Sequence, residues 1–348
     1  MKIIGKLVRI FIIFIILFGF YGLVLIYFPG EGGKAVNFEI KEGIGVNQIS
    51  RNLYDEGLIK NKFIFETYIW ARQLENKIQA GEHELNTGMN MQTIVNKLTS
   101  GVSLNKEKNI TFIEGWNLRD IRNYLEEQGI KEVGDLYALA GFPAVDYNTV
   151  LDLPTRKDFS GEFEFLESKP KNLSLEGYLF PDTYRIYKDA SIEDIIYKAL
   201  DNFDNKLSED LRAEIRKQSK TIHEVITLAS IVEREARGEE NKKIVADIFL
   251  KRLKAGMPLQ SDATVNYITQ KQDLRPSLQD TKIDSFYNTY KYKGLPMGPI
   301  CNPGLESIEA VIYPKTNDYW YFLTTPEGEF IYSKTHDEHV ANKQKYLD

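Results

Sequence analysis

Residues 10–28 read IFIIFIILFGFYGLVLIYF, a run of 19 residues without a charge. A helix that is apolar all round has no face to turn toward water. Its length matches the roughly 20 residues that cross the hydrocarbon core of a bilayer. Lys2, Lys6 and Arg9 precede the run and no acid does, which predicts residues 1–9 in the cytoplasm and the chain beyond the run outside it. The run leaves through Tyr27-Phe28-Pro29-Gly30, a poor match to the small-x-small exit of a cleaved signal peptide. The expectation is a retained single-pass anchor in the cell membrane over 10–28, then a Gly-rich, flexible stalk over 29–35.

The rest of the chain is acidic. The formal net charge is −6, and the first 28 residues contribute +3, leaving −9 for the remainder. That balance disfavours nucleic acid as a partner, because phosphate binding needs clustered Lys and Arg. The single cysteine, Cys301, cannot close an intrachain disulfide, and with no His near it in sequence it reads as a packed thiol.

One spacing recurs three times after the stalk: an apolar residue three before a Gly, an Ile six after it and a Leu ten after it. The sets are Ile40/Gly43/Ile49/Leu53, Leu85/Gly88/Ile94/Leu98 and Phe112/Gly115/Ile121/Leu125. Each predicts a short strand, a turn and a helix whose Ile and Leu share a face, with Asn47, Asn90 and Asn117 as caps. The first part resembles a LysM-type glycan-binding module, a small βααβ unit, and implies a LysM-like subdomain over 36–104. Pro143, Pro154 and Pro170 interrupt the next stretch. A helical stripe of Ile192, Ile195, Ile196, Leu200, Phe203 and Leu207 predicts a helix from Ser191 to about Lys217. Two more helices follow near 222–236 and 240–255, then a hairpin across Gly328 and a helix over 337–347. The class is α+β.

Three stretches carry groups suited to chemistry. In Ala229-Ser230-Ile231-Val232-Glu233-Arg234-Glu235, a turn of about 100° per residue places Glu233 inside the apolar arc of its helix and Glu235 at the arc's edge. Partial burial and the negative end of the helix dipole both favour a protonated carboxyl there, as a general acid needs. The pattern does not choose between the two glutamates; Glu233 also fits a structural ion pair. The second stretch is Glu176-Gly177-Tyr178-Leu179-Phe180-Pro181-Asp182-Thr183-Tyr184, with carboxylates and rings suited to sugars, or equally to a core. The third runs from Leu259-Gln260-Ser261-Asp262 through Tyr287-Asn288-Thr289-Tyr290 and Gly294-Leu295-Pro296 to Asn302-Pro303-Gly304, loops rich in amides and hydroxyls. His336-Asp337-Glu338-His339 has no His-Glu-x-x-His spacing and no third ligand cluster, so no metal is expected. A glycan-binding tether without turnover and a metal-dependent hydrolase on those histidines remain the rival readings.

Together, in this order, these segments resemble the endolytic murein transglycosylases, the YceG-like family, over nearly the whole chain; Ala263 and Met297 stand where Pro is common. The resemblance implies a catalytic domain over 105–348 and no cofactor. It implies that Glu235, the second Glu of the Ser-Ile-x-Glu-x-Glu stretch, is the catalytic acid. It further implies lytic cleavage of the MurNAc-β-1,4-GlcNAc bond of peptidoglycan with 1,6-anhydro-MurNAc ends, on nascent strands beside peptidoglycan synthases. Glu176, Tyr178, Asp182, Glu233, Ser261, Asp262, Asn288, Tyr290 and Asn302 become candidate substrate-binding residues.

Overall fold

The computed structural model describes residues 17, 19–29, 32–99, 107–150, 152–154, 156–271 and 276–347. They belong to two compact units, 1–108 and 109–348, and to the mixed α+β class.

In the first unit, β1 (Ala35–Ile40) leads to α1 (Val46–Asp55) and α2 (Lys62–Ala71), and the chain returns as β2 (Gly81–Asn86) before α3 (Met91–Thr99). β1 and β2 pair antiparallel, Ala35 opposite Asn86 and Ile40 opposite Gly81. Alternate residues of β2 point inward, as a half-buried strand requires. They meet a core that includes Leu53, Phe65, Ile69, Ile94 and Leu98. Residues 32–34, expected to be flexible, are tied to the turn after β2: Asn86 Nδ2 donates to Gly33 O at 2.9 Å and Thr87 N to Lys34 O at 3.1 Å.

Residues 1–16 and 18, which hold much of the expected anchor, lie outside the described residues. Residues 19–27 are helical, and Leu25 and Ile26 pack on the core of the first unit. Among the described residues no helix is long and apolar enough to cross a membrane.

The second unit is arranged around α8 (Ile222–Glu235), whose residues from Val225 to Val232 are all buried. A helix buried on every side must meet partners in several directions. Here they are α7 (Glu209–Lys217), α9 (Glu239–Lys254), α10 (Asp262–Thr269) and α11 (Leu305–Ile312). A two-stranded sheet of β3 (Glu107–Thr111) and β4 (Thr183–Tyr187) brackets α4 (Leu118–Glu127), α5 (Asp135–Ala140) and the Pro-interrupted stretch in sequence. The predicted hairpin forms as β5 (Tyr321–Thr324) and β6 (Phe330–Ser333), followed by α12 (His336–Tyr346).

The three recurring sets keep their pattern: every apolar member is buried. Two details differ from the sequence reading. Asn47 lies inside α1, whose cap is Gly45 without a side-chain bond; Asn90 and Asn117 do accept cap bonds. The single helix expected over 191–217 is two, α6 (Ile192–Lys206) and α7, because Leu207 leaves helical geometry and the Ser208 side chain caps the next start. Gly177, just before the buried Tyr178, has φ +90°, and a Cβ there would stand 2.5 Å from the Pro299 ring. Only glycine fits this backbone approach.

Candidate active site

Three glutamates sit at the starts of three different helices, where unpaired N–H groups and the positive end of the dipole favour a carboxylate. Glu176 accepts from Leu118 N, first residue of α4, at 3.1 Å and from Tyr267 Oη at 3.0 Å. Glu233 accepts from Gly304 N at 3.0 Å and Ser307 Oγ at 2.6 Å, at the start of α11. Glu235 accepts from Ser261 Oγ at 2.5 Å and from the backbone N–H of Ala263, at the start of α10. Ser261 is the cap residue of α10, yet its side chain makes no cap bond of its own; the Glu235 carboxyl takes that place.

Their environments separate the three. Glu176 is fully buried, and burial pushes its carboxyl up to about 8 despite Leu118, Tyr267 and the nearby Arg119. Glu233 is neutralised by Lys242 at 3.3 Å, with the two side chains 9% and 5% exposed. Glu306 adds a second carboxylate at 3.7 Å from Lys242. Glu235 is only partly buried. Loss of water around its carboxyl is the largest influence and raises it above the ordinary range. Asp262 pushes the same way, while Ser261, Ala263 N–H and Arg252 hold it back. Glu235 thus carries a raised carboxyl held by hydrogen-bond donors at the start of α10.

The neighbours of Glu235 come from distant parts of the chain. Tyr290 Oη donates to Asp262 Oδ1 at 2.5 Å; burial and the adjoining carboxylate raise the phenol far above its ordinary value. Arg252, on α9, is buried, donates to Leu259 O at 2.7 Å and Trp320 O at 2.9 Å, and lies over the Tyr321 ring. Loss of water lowers its guanidinium, and Glu235 and Tyr290 oppose that.

The other candidates lie elsewhere or serve the frame. Tyr178 is wholly buried, its hydroxyl at 3.0 Å from His223 Nδ1 and its ring against Phe165 and Phe203. It presents no surface to a ligand. Asn288 is buried and donates to Thr281 O and Ile283 O, folding its own loop. Asn302 is buried, accepts from Leu179 N at 2.9 Å and donates to Trp116 O at 2.9 Å. Asp182 accepts from Asn202 and Thr183 N and pairs with Lys206 at 3.6 Å; burial pushes it up, but those partners win and its value falls. Ser261, Asp262 and Tyr290 are the expected residues that the structure gathers beside Glu235.

Sequence reasoning missed Lys242 and Arg252. Both stand on the apolar face of α9 at helical spacing from Val245 and Phe249, a signal for a buried, paired cation. It also missed Glu114, which faces Gly304; burial first, then Glu233, raises its carboxyl. Cys301 is buried and its thiol is held at Ser230 O. His336 and His339 pack on the Tyr321 ring. Among the described residues no group of three or more His, Cys, Asp or Glu is placed to hold a metal ion.

The YceG-like family matches residues 38–345. The endolytic murein transglycosylase of Bacillus subtilis (strain 168) is 35% identical over 331 residues, covering 91% of this chain and 86% of the relative. That of Streptococcus pneumoniae serotype 2 is 32% identical over 332 residues, 90% of this chain; the chain spans 59% of that longer relative. The crystal structure of a YceG-like protein from Listeria monocytogenes superposes with a TM-score of 0.58 at 31% identity, covering 89% of this chain and all of that one. With a family match over most of its length and relatives above 30% identity, the chain belongs to the YceG-like family of endolytic murein transglycosylases.

Proposed function

We propose that this protein is a membrane-anchored lyase that cuts peptidoglycan strands internally at the MurNAc-β-1,4-GlcNAc bond, with Glu235 as its acid and then its base. The observation that carries the reading is the Glu235 carboxyl: raised by burial and held by Ser261 and the Ala263 N–H at the start of α10. Protonated, it donates to the glycosidic oxygen as the C1–O bond breaks. The carboxylate left behind is stabilised by Ser261, the Ala263 N–H and Arg252. It then takes the proton of the C6 hydroxyl as O6 bonds to C1. The ring closes on 1,6-anhydro-MurNAc, the proton returns to Glu235, and no water is consumed. Ordinary glycosidases need a second carboxylate to attack or to activate water; an internal nucleophile already in place removes that need. Asp262, whose negative charge lies beside the acid, adds a field that favours positive charge developing at C1.

Residues 10–28 would hold the enzyme at the membrane, near nascent strands and the synthases that make them, with the LysM-like first unit contributing glycan binding. The apolar run, the cations before it and the βααβ order of the first unit support this part. Protease added to sealed spheroplasts tests it: removal of everything beyond about residue 30 is expected, and survival of the intact chain would overturn it. The chemistry is tested by digesting peptidoglycan in heavy-oxygen water and weighing the new ends. Unlabelled anhydro ends, about 18 Da lighter than hydrolysed ones, are expected; labelled ends would make the enzyme a hydrolase.

A further inference from the structure

We propose that Thr289, a residue with no place in the chemistry above, positions the Glu235 carboxyl by fixing Ser261 from behind. The inference rests on the reading of Glu235 as the acid. Thr289 is buried, as is Thr264 on α10, and their hydroxyls lie 2.9 Å apart. Thr264 Oγ1 donates its one proton to Ser261 O at 2.8 Å, so the proton between the two hydroxyls comes from Thr289. Thr289 Oγ1 in turn accepts from Ser261 N at 3.0 Å, and Thr289 O accepts from Gln260 N at 3.2 Å.

Both backbone groups of Ser261 are thereby committed, the N–H to Thr289 and the C=O to Thr264. Only its hydroxyl is left to point outward, and it points at Glu235. The next residue, Tyr290, holds Asp262 by its phenol. One loop therefore fixes two influences on the acid: the Ser261 donor, which favours the ionised carboxyl, and the Asp262 charge, which favours the protonated one. A buried hydroxyl removed from such a chain leaves Ser261 N–H without its partner, and the peptide must move to find another. Displacement of a donor by a fraction of an ångström at a reacting group is expensive in rate.

The groups facing the Glu235 carboxyl are Ser261, Asp262 and Ala263 N–H from α10, Arg252 from α9 and the Tyr290 phenol from the loop. Thr289 is uncharged, so any change it makes in the titration of Glu235 must pass through their geometry. The test compares the wild type, Thr289→Val, which keeps the shape and loses the hydroxyl, and Thr289→Ser, which keeps the hydroxyl. In Thr289→Val the turnover number should fall at least about tenfold with KM little changed. The alkaline limb of its pH profile should move to higher pH, because a donor to the carboxylate has been lost. Thr289→Ser should restore both. The Glu235 carboxyl carbon, followed by nuclear magnetic resonance and assigned by its loss in Glu235→Gln, should titrate at higher pH in Thr289→Val. Thr289→Ala makes the same comparison should the valine variant not fold. A variant that only melts earlier, with turnover, alkaline limb and Glu235 titration as in wild type, would reduce Thr289 to a packing residue and overturn the proposal. If instead Glu235→Gln turns over normally, the acid assignment fails, while the carbon titration still decides whether Thr289 sets that carboxyl.

Discussion

Glu233 and Glu235, two residues apart at the end of α8, leave it in different directions and seat themselves on the starts of two different helices, α11 and α10. Two residues on a helix are about 200° apart, so one carboxyl reaches Lys242 and the start of α11 and the other reaches Ser261 at the start of α10. The same local sequence therefore yields a carboxylate paired with a buried lysine and a carboxyl raised by burial. The different surroundings fit the different roles proposed for the two.

Glu235→Gln keeps an oxygen for Ser261 and Ala263 N–H but cannot give up a proton of suitable acidity. The variant should melt at or above the wild-type temperature, because the cost of burying an ionisable group is gone. Its turnover should fall by about 10²–10⁴-fold, the usual worth of general acid catalysis. Thermal melting and release of anhydro ends measure the two effects; a variant within threefold of wild type in turnover would remove Glu235 from the mechanism.

Asp262→Asn removes a negative charge that holds the Glu235 proton on. The carboxyl should then ionise more easily. The alkaline limb of the turnover profile should move to lower pH, opposite to the shift expected for Thr289→Val. A pH series on the purified enzyme reads the direction, and a move to higher pH contradicts this role for Asp262.

Glu233→Ala strands Lys242 in the interior, with the exposed Glu306 left as its ion-pair partner. Losing one member of a buried pair costs roughly 3–5 kcal/mol, and here Gly304 N and Ser307 lose their acceptor as well. Urea unfolding should show the loss, and adding Lys242→Met should recover much of it. A single variant as stable as wild type would mean that water enters and solvates Lys242.

Glu176 makes stability depend on pH in a defined direction. Its folded value, about 8, lies above its ordinary value of 4.5, so the folded state keeps the proton longer than the unfolded chain. The contribution is most favourable below about 4.5 and declines as pH rises toward about 8. Glu176→Gln should flatten that part of the stability curve. Unfolding midpoints collected across this window check it, and an unchanged slope would show that the carboxyl is already ionised.

Much of the scaffold was legible because its signals are local. The strand-turn-helix spacing set Leu53, Ile94 and Ile121 in cores, and the stripe from Ile192 to Leu207 was buried as its period required. Helix boundaries were less legible: Leu207 ends one helix and Ser208 caps the next inside what reads as a continuous pattern. The site was partly legible. Ser261 and Asp262, singled out in sequence as candidate groove residues, stand beside Glu235, but Glu176 meets a helix start 58 residues earlier in the chain and Thr289 meets Ser261 across 28. Such contacts depend on how the helices stack, and no periodicity within one segment encodes them. Tyr178 and Asn302 fit a groove or a frame equally well by residue type. Only their burial places them in the frame.

The approach of Gly177 to Pro299 offers a mechanical handle. The glycine follows Glu176, and the proline lies in the loop that ends in Asn302 and Gly304, which in turn supports Glu233. A single added carbon at 177 would act as a wedge, meeting Pro299 at 2.5 Å and Ile226 at 3.1 Å. Gly177→Ala would thus pry at the seam between two motifs without altering any group that handles protons, separating the demand for tight assembly from the demand for the right chemistry.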